Sequence, residues 1–123
     1  FLSKLKQTVT ELARVGVQPV LMTLPPIDGA RYLDYICRGG LSRDSIMRWL
    51  GDVGCIYRHQ ELYSDTVASF AMREGLPLID VRRRFLPQRD LSELISADGI
   101  HLTMPGYRQL FDTLAQWVVP QLA

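Results

Sequence analysis

Apolar residues recur along the chain at the spacing of an amphipathic helix and then in an unbroken run. The first stripe has a three- and four-residue spacing and consists of Leu2, Leu5, Val9 and Leu12. Gly16 stands where a left-handed residue commonly ends a helix. The next segment, residues 17–24 (VQPVLMTL), is apolar with little alternation and closes at Pro25 and Pro26. It is predicted to be a strand with both faces buried, as in a parallel sheet.

The same order of helical stripe, glycine and apolar run occurs a second time. The second stripe lies within residues 59–75 and consists of Leu62, Thr66, Val67, Phe70 and Ala71. Gly75 ends it, and residues 76–81 (LPLIDV) follow as a short buried strand. Two successive helix–strand units are typical of α/β proteins with a doubly wound parallel sheet. The predicted fold class is therefore α/β.

Residues 28–58 separate the two units and are rich in Gly and Arg. Ser42 is predicted to cap a short helix that runs through Leu50 and stops at Gly51. The segment leaves from the carboxyl end of the first strand, which is the end where open α/β sheets bind ligands. We therefore interpret residues 28–58 as a lid or pocket wall, with a variable surface insertion as the alternative.

The final helix is predicted to begin near Met104. Thr103 is a suitable N-cap, and Pro105 fits the first helical turn. The buried face of this helix is predicted to consist of Tyr107, Leu110, Phe111, Leu114 and Trp117.

Only two strands can be placed in this pattern. A two-stranded parallel sheet leaves apolar faces and an unpaired edge in water. We therefore expect a third strand within residues 54–58 (GCIYR), or further strands from sequence upstream of Phe1 or from another chain.

Composition restricts the classes of function. The chain has 123 residues, of which 47% are hydrophobic and 22% charged, as in a globular domain or part of one. The formal net charge of +1 creates no field that favours nucleic acid. No apolar run reaches the roughly 20 residues that span a bilayer. Cys37 and Cys55 are expected to be buried free thiols, with a disulfide as the alternative. These features do not indicate a compartment.

A carboxylate and an imidazole lie just before the final helix. In residues 98–107 (DGIHLTMPGY), Asp98 precedes His101 by three positions. A neutral imidazole is a general base at about pH 7, and a carboxylate on its other nitrogen fixes the tautomer and stabilises the cation. We expect Asp98 to reach Nδ1 of His101, so that Nε2 is directed outward. The alternative is a helix cap beside a structural histidine.

The remaining polar candidates are assigned structural roles. Asp80 is expected to cap a short helix after the second strand. His59 is expected to be solvated, and no spacing typical of a zinc site accompanies it. Arg31 and Arg38 are interpreted as steering groups for an anionic substrate or as surface ion-pair partners. The residues expected in a solvated turn, rather than at a phosphate or nucleic-acid site, are Arg82, Arg83, Arg84 and Arg89.

The segment ADGIHLTMPGY, followed by an amphipathic helix, resembles the last sequence block of the SGNH (GDSL-type) hydrolases. The Asp and the His of that block belong to a Ser-His-Asp triad. Residues 20–32 (VLMTLPPIDGARY) resemble the strand and Pro-rich loop after the family's third block. Residues 63–85 (YSDTVASFAMREGLPLIDVRRRF) resemble its helix–strand unit.

The resemblance implies a flavodoxin-like fold, in which a five-stranded parallel sheet is sandwiched by helices. Residues 1–123 would be the C-terminal part of one such domain, with the first three strands absent from this chain. The implied function is a serine esterase or lipase that acts on small acyl esters without a metal or organic cofactor. The implied catalytic residues are Asp98 and His101.

Two blocks of the family are missing from this chain. It contains no Gly-Asp-Ser and no Gly-x-Asn-Asp sequence, and no Asn at all. No serine lies in the strand–turn–helix elbow of a nucleophile. We therefore expect the nucleophile and the oxyanion donors outside this chain, and no esterase turnover by the chain alone. The expected partners are the missing N-terminal part or further copies in an oligomer, and the alternative function is a non-catalytic α/β interaction module.

Overall fold

The structure is a computed structural model that describes all residues from Phe1 to Ala123. The chain is mixed α/β, and helices predominate over one two-stranded parallel sheet. Its elements are α1 (Leu2–Arg14), β1 (Leu21–Met22), α2 (Gly29–Arg38), α3 (Arg43–Leu50), α4 (Gly54–Glu74), β2 (Leu78–Ile79), α5 (Arg82–Phe85), α6 (Met104–Val118) and a 3₁₀ helix (Val119–Leu122).

The two strands pair in parallel, with Leu21 opposite Leu78. The N–H of Thr23 extends the ladder by donating to the carbonyl of Ile79 at 3.1 Å. Helix α4 packs against both strands, and α6 packs against β2. The predicted α/β class is confirmed, while the larger flavodoxin-like sheet stays a prediction.

The helix boundaries follow the predicted caps. Ser42 caps α3 and Thr103 caps α6, and each side-chain oxygen accepts the N–H of the residue three positions later at 3.2 Å. Gly16 and Gly75, at the ends of α1 and α4, have left-handed φ angles of 76° and 65°. These boundaries are set by residues next to them, which is why the sequence predicts them.

The third strand predicted within residues 54–58 is wrong, because these residues form the first turn of α4. Helix α4 is 21 residues long and starts well before the predicted stripe. Ile56 extends that stripe by one more apolar position, and it packs closely against Gly29 of α2. Residues 54–58 have a composition typical of a strand, but packing of Ile56 against α2 favours a helix here.

The predicted buried face of α6 is only partly correct. Leu110, Leu114 and Trp117 are half-buried, but Tyr107 and Phe111 are 48% and 68% exposed. The helix lies mainly over β2, and the sheet has no strand beyond β1 for the remaining side chains to cover.

The core lies between α4, the sheet and the segment that follows β2. Its buried apolar residues are Leu33, Val67, Phe70, Ala71, Ile79, Val81, Phe85, Ile95 and Leu102. Arg82 is only 4% exposed, so the prediction that it lies in a solvated turn is wrong, whereas Arg83, Arg84 and Arg89 are exposed as predicted. The Arg82 guanidinium is buried because three acceptors surround it, on Leu24, Gln60 and Glu61.

Residues 28–58 fold as α2, α3 and the first turn of α4, and their role as lid or insertion stays a prediction. Cys37 and Cys55 are free thiols, as predicted, but they are half-buried rather than buried. None of the helices combines the length and the apolar character that crossing a bilayer requires.

Candidate active site

The turn between β2 and α6 that carries Asp98 and His101 is anchored at both ends. Ile95 and Leu102 are buried and form an isolated antiparallel bridge. Inside that bridge, the N–H of Ser96 donates to the carbonyl of His101 at 2.8 Å. The pair therefore sits on a closed loop with fixed ends.

Arg31 of α2 holds the start of this loop. Its guanidinium donates to the carbonyls of Ser92 and Ile95, at 3.2 Å and 2.7 Å. It also lies 3.5 Å from the carboxylate of Asp28. Arg31 thus acts as a structural donor between α2 and the loop.

Gly99 lets the loop pack directly on the start of α2. Its φ angle is 79°, and its carbonyl accepts the N–H of Asp28 at 2.8 Å. A Cβ at this position would overlap the carbonyl of Asp28 and the N–H of Tyr32. Both the backbone conformation and the lack of space therefore require glycine here.

The Asp98 carboxylate uses its two oxygens for different purposes. Oδ2 lies 2.5 Å from Nδ1 of His101. Oδ1 accepts the Ser96 hydroxyl at 2.6 Å and the N–H groups of Ile100 and His101 at 2.9 Å and 3.0 Å. The Asp98 side chain is 21% exposed, so it is largely surrounded by protein.

These donors determine the charge of the carboxyl group. The Ser96 hydroxyl, the His101 ring and the Ile100 N–H hold the pKa of Asp98 well below its usual range, against a smaller opposing effect of burial. Asp98 is therefore ionised at neutral pH and can only accept hydrogen bonds. A neutral His101 must then carry its proton on Nδ1, which leaves a lone pair on Nε2.

The His101 ring is open to solvent on its other side. Its side chain is 72% exposed, and Nε2 makes no hydrogen bond within the chain. No serine hydroxyl bonds to this nitrogen: Ser96 donates to Asp98, and the buried Ser64 accepts the N–H of Leu24 at 3.2 Å. The arrangement can accept a proton from a group brought to Nε2, but it holds no nucleophile of its own.

An apolar groove of about 430 Å³ begins at His101. It lies beyond the carboxyl end of β1, between the loop that leaves this strand and α6. Its lining residues are Met22, Leu24, Pro25, Ile27, Gln60, Ile100, His101, Leu102, Tyr107 and Leu110.

Sequence reasoning brings Asp98 and His101 together correctly but misses Ser96, Gln60 and Arg82. The available signal for Gln60 is its position on α4, four residues before Ser64 and in line with the buried stripe. A polar residue in a buried stripe indicates a specific hydrogen-bond partner. No comparable local signal points to Arg82.

The other predicted polar residues lie outside the site. Asp80 accepts the N–H of Arg83 in α5 at 3.3 Å, as predicted for a cap, and also the Thr23 hydroxyl at 2.9 Å. His59 is exposed on α4. No group of three or more His, Cys, Asp or Glu side chains is arranged to hold a metal ion.

Neither protein-family models nor curated proteins give a match to this chain. Its functional interpretation therefore depends on the geometry of the Asp98–His101 site and the groove beside it.

Proposed function

We propose that residues 1–123 supply the acid–base part of an SGNH-type serine ester hydrolase whose nucleophilic serine lies outside these residues. Nε2 of His101 takes the serine proton during attack on the ester carbonyl and returns it to the leaving alcohol. Asp98 fixes the imidazole tautomer and stabilises the cation. The observation that carries this proposal is the 2.5 Å contact from Asp98 to Nδ1, combined with an unoccupied, exposed Nε2.

The same observation favours catalysis over a non-catalytic interaction module. A module requires no carboxylate on its histidine ring, and a structural histidine commonly uses both nitrogens or is packed in the core. His101 has a charged partner on one nitrogen, solvent on the other and an apolar groove beside it.

The groove supports a small acyl ester as the substrate. It has no charged side chain in its lining apart from the ionisable His101. Groups that lie next to His101 are therefore expected to be uncharged, as the two sides of an ester bond are.

Further parallel strands outside residues 1–123 belong to the proposal, as in a flavodoxin-like sheet of five strands. Leu21 and Thr23 direct their N–H groups to β2, so the alternate residues Val20 and Met22 present theirs at the open edge of β1. An open edge of this kind accepts another strand.

The exposed surface supports the same proposal. The chain exposes 8383 Å², whereas a folded monomer of 14.0 kDa is expected to expose about 6,700 Å². Part of the excess lies on α6, where Met104 and Phe111 are 78% and 68% exposed. Strands added at the open edge of β1 would lie next to the face of α6 that exposes Met104 and Phe111.

The test is an ester-hydrolysis assay on the intact gene product with p-nitrophenyl butyrate. His101→Ala is expected to remove nearly all activity. Asp98→Asn is expected to lower kcat by about 10⁴-fold, because an amide at this position selects the wrong imidazole tautomer. His59→Ala is the matched control, since His59 is the other histidine of the chain and lies outside the site.

A serine-directed fluorophosphonate locates the nucleophile. The label is expected on a serine outside residues 1–123, and the 123-residue chain alone is expected to remain unlabelled. Full activity of His101→Ala, or a label on a serine of this chain, would show that the proposal is wrong.

A further inference from the structure

The groove beside His101 is mainly apolar, because seven of its ten lining residues are hydrophobic. Apolar side chains come from β1 and the loop after it, from the turn before α6 and from α6 itself, represented by Met22, Ile27, Ile100 and Leu110. Because the groove lies beyond the carboxyl end of β1, it occupies the position where α/β sheets bind ligands.

The one amide side chain in the groove has both of its polar ends occupied. Nε2 of Gln60 donates to the carbonyl of Pro25 at 2.5 Å. Its Oε1 accepts from the guanidinium of Arg82 at 2.7 Å. One N–H and the carbonyl oxygen of Gln60 are therefore already bonded to protein groups.

Arg82 also holds the wall of the groove in place. Its guanidinium donates to the carbonyl of Leu24 at 3.0 Å, one residue before the Pro25 carbonyl that Gln60 binds. Two successive carbonyls of the loop after β1 are thus fixed by Arg82 and Gln60. The apolar faces of Leu24 and Pro25 are left to line the groove.

We propose that this groove binds the acyl chain of the substrate, and that this chain is an apolar alkyl chain rather than a sugar or a charged acyl group. This inference rests on the proposed function, because it places the ester carbonyl at the His101 end. A hydroxylated or charged group in the groove would lose hydration against a lining in which seven of the ten residues are hydrophobic. An alkyl chain loses nothing and buries apolar surface.

The volume of the groove limits the length of the acyl chain that it can hold. A groove of about 430 Å³ is within the range of small-molecule sites. Each methylene group that enters it is expected to strengthen binding by about fourfold, from the free energy of burying one such group.

The test measures binding rather than turnover and uses the intact gene product with His101→Ala, which stops turnover. Methyl butyrate, methyl hexanoate and methyl octanoate are titrated while the NMR signals of the methyl groups of Met22, Ile27 and Ile100 are followed. We expect these signals to shift and the Kd to fall by about fourfold per methylene until the groove is full. Methyl (2-methoxyethoxy)acetate, a polar ester of similar length, is expected to bind no better than methyl butyrate.

Two variants locate the binding surface. Ile27→Asn and Ile100→Asn are each expected to weaken methyl hexanoate binding by about tenfold, from the loss of apolar contact in the groove. Ile100 is partly exposed, so its variant keeps the test valid where Ile27→Asn does not fold. Leu41→Asn is the matched control, because Leu41 is an exposed apolar residue outside the groove.

Equal affinity for all four esters, or shifts confined to methyl groups outside the groove, would overturn the inference. So would shifts of the groove methyls that depend on protein concentration alone, since a second copy of the chain would then occupy the groove. Binding requires no nucleophile, so a failure of this binding test can be distinguished from a failure of the fluorophosphonate experiment.

Discussion

The Ser96 hydroxyl lies 2.6 Å from Oδ1 of Asp98 and donates to it. The N–H of Ile100 donates to the same oxygen at 2.9 Å. Oδ1 is therefore hydrogen-bonded within the turn, and Oδ2 is free to contact the His101 ring. A short local hydrogen bond thus sets the rotation of the carboxylate. The orientation of the imidazole follows from it.

Replacing Ser96 by Ala is expected to raise the pKa of Asp98 towards its ordinary value, because the hydroxyl is the largest single cause of its lowering. The titration of the Asp98 side-chain carbon, followed by NMR, measures this change. Ser3→Ala, on the exposed face of α1, is the control. An unchanged titration in Ser96→Ala would assign the low pKa to His101 and the backbone instead.

Asp98→Asn is expected to reduce stability at neutral pH and to lose this effect in acid. The pKa of Asp98 is lower in the folded than in the unfolded chain, so its stabilisation is complete above the unfolded value of about 3.9. It disappears as the pH falls from there towards the folded value. The difference in unfolding free energy between wild type and variant, measured with urea, should therefore shrink between pH 6 and pH 2.

The control for that comparison is Asp65→Asn, because Asp65 is exposed on α4 and makes no side-chain hydrogen bond. Its difference from wild type should stay small at every pH. If the difference in unfolding free energy between wild type and Asp98→Asn does not depend on pH, the variant acts through packing rather than through charge.

Gly99→Ala is expected to destabilise the fold and to move the turn that carries Asp98 and His101. The left-handed backbone alone costs a residue with a Cβ about 1–2 kcal/mol, and the added atom would also overlap the start of α2. Urea unfolding measures the loss, and the chemical shifts of His101 report the movement. Gly40 also has a positive φ angle, but a Cβ there would meet open space. Gly40→Ala therefore measures the cost of backbone strain without the cost of steric overlap.

The parts of the fold and site that the sequence predicts are those determined by near neighbours. The caps at Ser42 and Thr103 depend on a backbone N–H three residues away. The contact between Asp98 and His101 spans the same distance, within one turn. Residue type and spacing are enough to predict contacts of this kind.

The parts that could not be predicted depend on partners far along the chain. Arg82 is buried because Leu24, 58 residues away, supplies a carbonyl to it. Its sequence context, next to Arg83 and Arg84, is typical of a solvated turn. Phe111 has the spacing of a buried residue, but its burial depends on how many strands the sheet contains, which no local pattern encodes.

The role of Arg82 gives the last prediction. Arg82→Met keeps an unbranched apolar side chain, but it removes the guanidinium that lies over Tyr57 and donates to Leu24, Gln60 and Glu61. The half-buried acceptors on Leu24 and Gln60 lose their donor, whereas Glu61 is exposed enough to be hydrated, so the variant is expected to be destabilised by about 2 kcal/mol.

Gln60→Leu/Arg82→Met, in which the groove amide is removed as well, should lose less than the sum of the two single variants, because the two side chains share one hydrogen bond. Urea unfolding of the four proteins measures this coupling, and Arg83→Met, exposed in the same helix, is the control for the substitution itself. Strictly additive losses would mean that Arg82 and Gln60 hold the loop after β1 independently. The wall of the groove would then be fixed by each residue alone rather than by their connected hydrogen bonds.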